Sequence, residues 1–330
     1  MKVMVTGAGG PASVCIIKDL KDVKDSDGGK KYELVSTDID PLSPGLYMVS
    51  EKNRHIVPRV NDNGFINKMF RLARREKVNV VLPTVQEELI HFARKTEMFE
   101  DAGIKVAVSK PESLLVSNNK LRTYAFFKGA SYCPELYNDS TVRFPAVIKP
   151  KDSRGSRGFY IAENEDELRV FLAKNERVFG KDNSIVMEFL NGSEYSTYGI
   201  SDFKGKPLVA VPIKRILAGG TSVRAEVADN PKVKEIATDI ASKLNLYGPW
   251  NVQLMESNDG VKLVEVNPRF AGTSVLAAAA GVNMPELTIR LLMGEKVEGK
   301  DLEYKTGVTM TRYSEEIFIE KDTGKVLRKE

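Results

Sequence analysis

The sequence predicts an N-terminal α/β module built on a parallel sheet, followed by an α+β domain whose sheets are mostly antiparallel. Short apolar strands alternate with helical segments in the first third of the chain, which is the pattern of a doubly wound sheet. Longer strands follow one another in the remainder, which favours antiparallel pairing. The length of 330 residues provides for two or three such modules and a substantial core.

The first module opens with a strand, a glycine turn and a helix. Residues 2–6 form an apolar strand, a glycine-rich turn follows, and Pro11 lies in the first turn of a helix predicted over 11–20. The other predicted strands of this module lie at 33–37, 78–82 and 105–108, and its other helices at 64–76 and 85–96. The strand at 78–82 carries no charge, as expected for a parallel sheet covered on both faces. The module therefore ends near residue 110.

The second part of the chain begins with a helical region and continues with strands. Pro111 opens the helical region, which extends to Gly129. The predicted strands lie at 146–149, 185–189, 195–201, 207–213, 252–256 and 261–266. Their order along the chain predicts hairpins rather than helical crossovers.

The composition excludes several classes of protein. Hydrophobic residues make up 42% and charged residues 28%, which excludes wholesale disorder. The net charge of +4 gives no indication of a nucleic-acid surface. Cys15 and Cys133 lack the spacing of a disulfide framework or a zinc site, and no signal peptide or long apolar run occurs. We therefore expect a soluble, cytoplasmic protein with neither a nucleic-acid nor a membrane partner.

A hairpin near the end of the chain carries the strongest chemical signal. The turn at Asp259 and Gly260 joins two alternating strands. Because strand side chains alternate faces, Glu265 and Asn267 point the same way, and Val264 and Val266 are expected to point into the core. A suitable register would add the oxygen of Gln253. Such hard oxygens suit Mg²⁺, or Mn²⁺ as a substitute, and leave room for phosphate oxygens.

Arg269 supports the interpretation of this hairpin as a metal and phosphate site, and an ordinary hairpin is the alternative to it. Arg269 lies just beyond the hairpin and offers a guanidinium fork to a phosphate. The alternative is an ordinary hairpin with polar residues on its solvent face, and the pattern alone leaves both interpretations open.

A second signal is an apolar strand that ends in Lys149 and leads into a basic glycine loop. The loop, residues 151–158, contains Ser153, Gly155 and Gly158. Small residues let backbone N–H groups approach phosphates, so the loop is predicted to be a phosphate lid. A solvated basic hairpin would have a similar composition, and the run does not match the standard phosphate-binding loop pattern.

A third signal is the apolar strand 185–189, which contains Glu188 and is followed by Leu190 and Glu194. Adenine requires backbone donor and acceptor groups between apolar walls, and ribose hydroxyls require a carboxylate acceptor. This segment is the candidate nucleotide hinge.

In this order and spacing the three signals resemble the ATP-grasp superfamily, and most closely the ATP-grasp unit of the carbamoyl-phosphate synthase large chain. The resemblance runs from about residue 2 to about residue 294. It implies a Rossmann-like pre-ATP-grasp domain over 1–110, a small ATP-grasp subdomain with the phosphate lid over 111–190, and a C-terminal subdomain with the metal site over 191–330.

The resemblance also implies roles for individual residues. Lys120 and Lys149 would bind nucleotide phosphates, and Ser153, Gly155 and Gly158 would belong to the lid. The segment Glu188, Phe189 and Leu190 would contact adenine, and Glu194 the ribose. The metal ligands would be Gln253, Glu265 and Asn267, with Arg269 on the phosphate. A further glycine-containing loop after a strand makes Lys214, Arg215 and Arg224 candidates for binding an anionic substrate or acyl phosphate.

What the resemblance implies is an ATP-dependent ligase that joins a carboxylate to an amine, or less often to a thiol, through an acyl phosphate. Its cofactors would be ATP and Mg²⁺, its substrates would be small molecules, and a homodimer is left open. The chain has one ATP-grasp unit where the synthase has two and no ammonia-generating module, so carbamoyl phosphate is not the expected product. Many superfamily members have an acid at the position of Gln253.

Parts of the sequence are compatible with two other functions. A non-catalytic ATP-binding regulatory or scaffold protein is one, although a complete set of metal ligands argues against it. An NAD(P)-dependent dehydrogenase is the other, suggested by the turn at Gly7 to Gly10, by Asp38 at a strand end, and by Tyr124 four residues before Lys128. The turn lacks the third glycine of the dinucleotide fingerprint because Ser13 occupies that position.

Overall fold

The computed structural model describes residues 1–138, 140–153, 155, 157–219, 221–320 and 323–327. Within this range, the side chains of residues 217–219 and 221 are not described. Arg154 and Ser156 of the predicted lid, and Gly220 of the second glycine loop, lie outside the described residues.

The N-terminal module contains a five-stranded parallel sheet, as predicted. Its strands are β1 (Lys2–Val5), β2 (Glu33–Asp38), β3 (Arg54–Ile56), β4 (Val80–Leu82) and β5 (Lys105–Val106). They are arranged in the order β3-β2-β1-β4-β5, and every neighbouring pair is parallel. The order reverses at β1, so the loops after β1 and β4 open a crevice at the carboxyl edge, which is where open α/β sheets bind ligands.

Four helices connect these strands: α1 (Pro11–Lys21), α2 (Phe65–Arg75), α3 (Gln86–Ala93) and α4 (Thr96–Glu100). The helix predicted over 85–96 is α3, which ends at Ala93, and the short helix α4 follows it; the strand predicted to start at residue 78 starts at Val80. Glu88 lies in the first turn of α3 and accepts hydrogen bonds from the N–H groups of Thr84 (3.0 Å) and Val85 (2.9 Å). These bonds satisfy donors that a helix start leaves unpaired.

The predicted helical region after Pro111 also divides in two, into α5 (Pro111–Ser117) and α6 (Lys120–Phe126). Asn119 begins the second helix, because its side-chain oxygen accepts a hydrogen bond from the N–H of Arg122 at 3.1 Å. Lys120 is thereby fixed as the first residue of α6.

A four-stranded antiparallel sheet follows. Its strands are β6 (Leu136–Tyr137), β7 (Ala146–Pro150), β8 (Tyr160–Ala162) and β9 (Ser184–Glu188), arranged in the order β6-β9-β7-β8. The helix α7 (Glu165–Phe179) packs against it. Asn164 caps α7, and three acidic residues in its first turn oppose the positive end of the helix dipole.

The largest sheet has six antiparallel strands in the order β14-β13-β10-β11-β12-β15. They are β10 (Ser193–Ser201), β11 (Pro207–Gly219), β12 (Thr221–Val227), β13 (Gly248–Ser257), β14 (Gly260–Asn267) and β15 (Thr309–Thr311). The helices are α8 (Pro231–Lys243), α9 (Ser274–Ala279) and α10 (Met284–Leu292), and a small hairpin, β16 (Phe318–Ile319) with β17 (Val326–Leu327), follows.

Strand β11 is longer than predicted. The sequence pattern ended it at Ile213 and placed Lys214 and Arg215 in a loop, but the strand continues to Gly219 and pairs with β12. Bulges after Arg215 and Leu217 break the regular alternation there, which is why the pattern resembled a loop.

The two largest hydrophobic clusters lie on the six-stranded sheet. One cluster joins Val3, Ile16 and Leu20 of the N-terminal module to Tyr198 and Val211 of the large sheet. The N-terminal module and the large sheet therefore share a core, which fixes the walls of the space between them. The second cluster packs α8, Trp250 and parts of α6, β7 and β9 together. None of the helices in the described part of the chain combines the length and hydrophobicity needed to cross a lipid bilayer.

Candidate active site

One face of the six-stranded sheet carries a row of oxygen-bearing side chains. The register of β13 with β14 sets Gln253 opposite Glu265 and Asn251 opposite Asn267. Side chains directly opposite each other in an antiparallel pair share a face and lie about 5 Å apart. The register anticipated for Gln253 is therefore present, and Asn251 contributes a further amide that the sequence analysis did not single out.

Strand β14 contains a bulge at Val264. Gln253 pairs with Glu265, whereas Leu254 pairs with Leu263, so Val264 has no partner in β13. Leu263 and Val266 are fully buried in the core, but Val264 is only half-buried and lies outside the described hydrophobic clusters. The expectation that Val264 points into the core is wrong, because the extra residue interrupts the alternation.

The carbonyl of this bulge anchors a buried lysine. The Nζ atom of Lys149 donates to the hydroxyl of Tyr124 at 2.8 Å and to the Val264 carbonyl at 3.3 Å, and Tyr124 donates to the same carbonyl at 2.6 Å. Burial, aided by the nearby charge of Lys120 and opposed by Glu265, lowers the pKa of Lys149 to about 7. A bound anion would restore the charge of this lysine.

Lys120 links the predicted lid to the oxygen-bearing face of the large sheet. Its Nζ atom donates to the carbonyl of Ser153 at 2.7 Å and lies 3.6 Å from Oε1 of Glu265. Its backbone N–H donates to the carbonyl of Lys151 at 2.8 Å. Two ammonium groups thus lie near one carboxylate, and an anion placed there gains from both.

Arg269 is held from three sides. Its guanidinium donates to the carbonyl of Phe270 (2.9 Å), to Oδ1 of Asn267 (3.1 Å) and to Oε1 of Gln86 (3.3 Å). Gln86 belongs to α3 of the N-terminal module and is itself anchored, since it donates to Asn118 at 2.7 Å. Burial lowers the pKa of Arg269, and Glu265 opposes this shift. The fork is therefore preorganised between the two modules.

Several of these residues line one wall of a cavity of about 850 Å³, whereas Lys120 and Lys149 are not among its lining residues. Gln253, Glu265, Asn267 and Arg269 belong to this wall, and Gly155 contributes from the predicted lid. The opposite wall is the carboxyl edge of the parallel sheet, with residues 6, 7, 9, 10, 37–40 and 84–88. A volume of this size suits a nucleotide-sized or drug-sized ligand.

The two lid glycines have different surroundings. Gly155 has a φ of +61°, nothing lies where its side chain would be, and the residue lines the cavity. Gly158 has a φ of +71°, and a Cβ atom there would lie 2.6 Å from Oδ1 of Asn175 and 2.8 Å from Pro150. Gly158 therefore serves the packing of α7, because only glycine fits this conformation and this space.

Of the predicted anion-binding residues on β11, only Arg215 lines the cavity. Its guanidinium forms an ion pair with Glu194 and donates to the hydroxyl of Ser222 at 3.1 Å. Lys214 pairs with Tyr195, whose side chain packs in the cluster on the other face of the sheet. The structure therefore does not bring Lys214 to the cavity, and Arg224 is exposed outside it.

The predicted nucleotide hinge follows β9. Oε1 of Glu188 accepts a hydrogen bond from the N–H of Glu135 at 2.8 Å and lies 3.9 Å from Nζ of Lys262. Beyond it, Phe189 and Leu190 make no backbone hydrogen bond with any described part of the chain, and both pack at the edge of the second core cluster. The carboxylate of Glu188 is thus used within the protein, whereas the backbone of the next two residues is available.

A divalent cation would find one carboxylate here. The described part of the chain contains no group of three or more His, Cys, Asp and Glu side chains that could hold a metal ion. The oxygens of Gln253, Glu265 and Asn267 nevertheless fit Mg²⁺, because they are hard donors on one face and Asn267 retains a free lone pair beside its bond from Arg269. A single charged ligand leaves coordination positions for phosphate.

Sequence reasoning missed much of the opposite wall. Glu88 and Gln86 line the cavity from α3, and Ser196 does so from β10, where it donates to Oδ1 of Asn251 at 2.7 Å. The signal for α3 was available, because Gln86 and Glu88 directly follow an uncharged parallel strand. No local pattern marks Ser196, whose role depends on the register of three strands.

Two family models match separate parts of the chain. Residues 13–107 match the N-terminal domain of PylC-like proteins, and residues 181–316 match a family described as ATP-grasp in the biosynthetic pathway with Ter operon. Carbamoyl phosphate synthase large chains from two strains of Clostridium perfringens, SM101 and 13, are each 28% identical over 299 residues. Each alignment covers 84% of this chain but only 26% of the relative, so the chain spans about a quarter of those proteins.

Solved structures share the fold at low sequence identity. The biotin carboxylase domain of 2-oxoglutarate carboxylase from Hydrogenobacter thermophilus, a dimer in complex with MgADP, ADP and bicarbonate, has a TM-score of 0.68 at 17% identity, covering 92% of this chain and 72% of that one. N5-carboxyaminoimidazole synthetase from Staphylococcus aureus has a TM-score of 0.65 at 15% identity, covering 89% and 77%.

The parallel module, the antiparallel sheets and the cavity between them define an ATP-grasp fold, as predicted. The matches of both parts of the chain agree with this architecture. The family matches and the homology to carbamoyl phosphate synthase large chains relate this chain to ATP-grasp proteins.

Proposed function

We propose that this protein is an ATP-dependent ligase that activates a carboxylate as an acyl phosphate, releases ADP and phosphate, and joins the acyl group to an amine. The observation that carries the proposal is the set of cations around Glu265. Lys120 lies 3.6 Å from this carboxylate, and both Lys149 and Arg269 are within its electrostatic influence. Such a cluster at a cavity wall suits a polyphosphate that arrives with Mg²⁺.

The proposed chemistry needs little from a general base. A substrate carboxylate oxygen attacks the γ-phosphorus, the bond from that phosphorus to the bridging oxygen breaks, and ADP leaves. The amine lone pair then attacks the acyl carbon, the carbon–oxygen bond to phosphate breaks, and the nitrogen loses a proton. A carboxylate is already a nucleophile, so catalysis consists of positioning and charge neutralisation.

In this proposal Lys120 and Lys149 bind the β- and γ-phosphates. The backbone at Ser153 and Gly155 covers the phosphates, and Arg215 and Arg269 stabilise the transferred group. Bound Mg²⁺, held by Gln253, Glu265 and Asn267, would neutralise phosphate charge. Lys214 has no role, because it lies on the other face of the sheet, and Gly158 acts only through packing.

The nucleotide base is assigned to the hinge. The free backbone groups of Phe189 and Leu190 suit adenine, and Glu194 is the candidate ribose acceptor. Glu188 contributes by fixing the hinge through its bond to the Glu135 N–H. The ion pair of Glu194 with Arg215 would couple ribose binding to the position of Arg215.

The test is a metabolite screen for substrate-dependent ADP release in the presence of Mg-ATP. We expect ADP and phosphate as products, and hydroxylamine should trap a hydroxamate when the amine is withheld. Glu265→Gln, which keeps the shape of the side chain, should lose at least about a hundredfold in turnover, as removal of one strong electrostatic contact does. AMP as the main product, or unchanged turnover in Glu265→Gln, would contradict the proposal.

A further inference from the structure

The two walls of the cavity differ in charge. The carboxyl edge of the parallel sheet lines the cavity with Asp38, Asp40, Glu87 and Glu88, and Arg59 is the cation among the described lining residues on that side. The wall of the large sheet instead presents Arg215 and Arg269, together with the oxygen-bearing face of that sheet. A ligand that spans the cavity therefore meets a cationic wall at one end and an acidic wall at the other.

Asp38 is a buried acid of this wall that two backbone N–H groups orient. It ends β2 and is only 9% exposed. Its Oδ2 accepts from the N–H of Gly9 at 2.7 Å, and its Oδ1 accepts from the N–H of Asp40 at 3.0 Å. No lysine or arginine in the described residues forms an ion pair with it. Each oxygen keeps a further lone pair, so the carboxylate is oriented but lacks a counter-ion.

Two buried hydroxyls in the cavity lining also lack partners. Thr37 is fully buried beside Asp38, and Thr273 is 4% exposed on the opposite wall. Neither Oγ1 atom has a hydrogen-bond partner among the described residues. Buried hydroxyls are normally satisfied, so these two atoms indicate groups that a ligand would complete.

We propose that the acidic wall recognises a cationic nitrogen of the carboxylate substrate, distinct from the amine that attacks the acyl phosphate, with Asp38 as its counter-ion and Thr37 as a second hydrogen-bond partner. The inference rests on the proposed function and specifies its substrate class as an ammonium-bearing small molecule such as an amino acid. An ammonium group that loses water on entering the cavity needs a carboxylate to replace that water. A ligand with only anionic groups would be repelled by this wall.

The experiment uses a defined panel of probes with the full chain. The panel contains the twenty proteinogenic amino acids, their N-acetyl derivatives, the corresponding decarboxylated amines and uncharged pentoses. Each probe is tested for ADP release with Mg-ATP, and separately for a rise in melting temperature with Mg²⁺ and a non-hydrolysable ATP analogue. The second readout detects binding without turnover, so it tests recognition even where the proposed chemistry fails.

Three variants accompany the wild type. Asp38→Asn keeps the shape and one acceptor oxygen but removes the charge, and Thr37→Val removes only the hydroxyl. Asp229→Asn is the control, because Asp229 is exposed and does not line the cavity. The charge-assisted bond is expected to contribute about 1.5–3 kcal/mol, so Asp38→Asn should raise the half-saturating concentration of an ammonium probe by about 10- to 100-fold. Thr37→Val should raise it by a smaller factor.

Affinity for the ATP analogue should stay within about twofold of wild type in all three variants, since none of these side chains belongs to the phosphate-binding wall. The inference is overturned if pentoses or N-acetyl derivatives bind as well as free amines, if Asp38→Asn leaves the half-saturating concentration unchanged, or if no ammonium compound binds although the ATP analogue does. Absence of binding by the ATP analogue itself would instead contradict the proposed function.

Discussion

The Nζ atom of Lys149 lies 2.8 Å from the hydroxyl oxygen of Tyr124, and that hydroxyl in turn donates to the bulge carbonyl of Val264 at 2.6 Å. The bulge thus has a function, because it supplies a carbonyl that a regular β14 would use in the sheet. The lysine is fixed by neutral oxygens rather than by an ion pair. This arrangement keeps Lys149 within the electrostatic influence of Glu265 without an ion pair between them.

Tyr124→Phe should loosen Lys149 while preserving the core. The phenyl ring retains the packing of Tyr124 in the second hydrophobic cluster, but Lys149 loses its shortest hydrogen bond. We expect a loss of about 1 kcal/mol in unfolding free energy and a several-fold rise in the KM for ATP. Urea denaturation and steady-state kinetics measure the two effects. A KM for ATP that remains at the wild-type value would show that Tyr124 does not position the lysine.

The affinity for ATP should fall as the pH rises above neutrality. The pKa of Lys149 is lowered to about 7 by burial, so this lysine is half-charged at that pH and neutral above it. Bound phosphates favour the charged form, which means that ATP binding takes up a proton at higher pH. Calorimetry at pH 6.5, 7.5 and 8.5 should show Kd rising by up to about tenfold per pH unit above the pKa.

Lys149→Met is the matched control for that pH dependence. It removes the titrating group, so its weaker ATP affinity should vary less with pH between 7 and 9. If the Kd for ATP depends equally on pH in the wild type and in Lys149→Met, the proton taken up on ATP binding belongs to another group.

Gly155→Ala and Gly158→Ala should differ in what they disturb. Gly158 is crowded by Asn175, and an added methyl group there should destabilise the packing of α7 by about 1–3 kcal/mol. Gly155 has open space and lines the cavity, so its substitution should cost about 1 kcal/mol and mainly raise the KM for ATP. Thermal denaturation and kinetics of both variants check this. Equal loss of stability in both variants would mean that the two glycines do not differ in how tightly they are packed.

Local patterns predicted most of the architecture. The alternation of strands and helices was enough for the parallel module, and the Asp-Gly turn was enough for the β13–β14 hairpin. The bulge at Val264 was not predictable, because its position depends on how the β14 backbone adjusts to two neighbouring elements. The continuation of β11 past Ile213 was missed for a related reason, since two bulges disrupt its alternation.

The candidate site was predicted in part. Lys120 lies 3.6 Å from Glu265, and Lys149 and Arg269 are within the electrostatic influence of this carboxylate, but the roles that the resemblance implied for these residues stay predictions. Only the strand pairing shows that Lys214 and Arg215 lie on opposite faces of the sheet, because adjacent residues on a strand face opposite sides. The acidic wall around Asp38 could not be assigned from sequence, since it depends on the shared core that sets the two modules face to face.

Arg215 and Lys214 form a natural pair of test positions, because they are neighbours of equal charge on opposite faces of β11. Arg215→Met should reduce kcat/KM by at least about tenfold, since it removes a guanidinium from the cavity and leaves Glu194 without its partner. Lys214→Met should stay within about twofold of wild type. Comparable losses of kcat/KM in the two variants would mean that a positive charge near β11 matters for activity, whichever face of the strand carries it.

Glu88 should make the stability of the fold depend on pH below neutrality. Its carboxyl group is buried, 3% exposed, and burial raises its pKa to about 7 although Thr6 and the N–H groups of Thr84 and Val85 donate to it. The unfolded chain loses this proton near pH 4.3, so between pH 4.3 and 7 the folded state holds more protons than the unfolded state. Rising pH therefore destabilises the fold through this residue, by up to about 1.4 kcal/mol per pH unit within the window.

Glu88→Gln isolates that contribution, because glutamine keeps an acceptor oxygen for the same donors and cannot ionise. The variant should match the wild type in unfolding free energy at pH 4.5 and exceed it by about 1–3 kcal/mol at pH 8, measured by urea denaturation. Taking the difference between the two proteins removes the opposite trend of Lys149, whose low pKa makes stability rise with pH between about 7 and 10.4. Glu97→Gln, an exposed position in α4, should show no such difference at either pH. A constant offset between wild type and Glu88→Gln from pH 4.5 to 8 would mean that Glu88 titrates normally despite its burial.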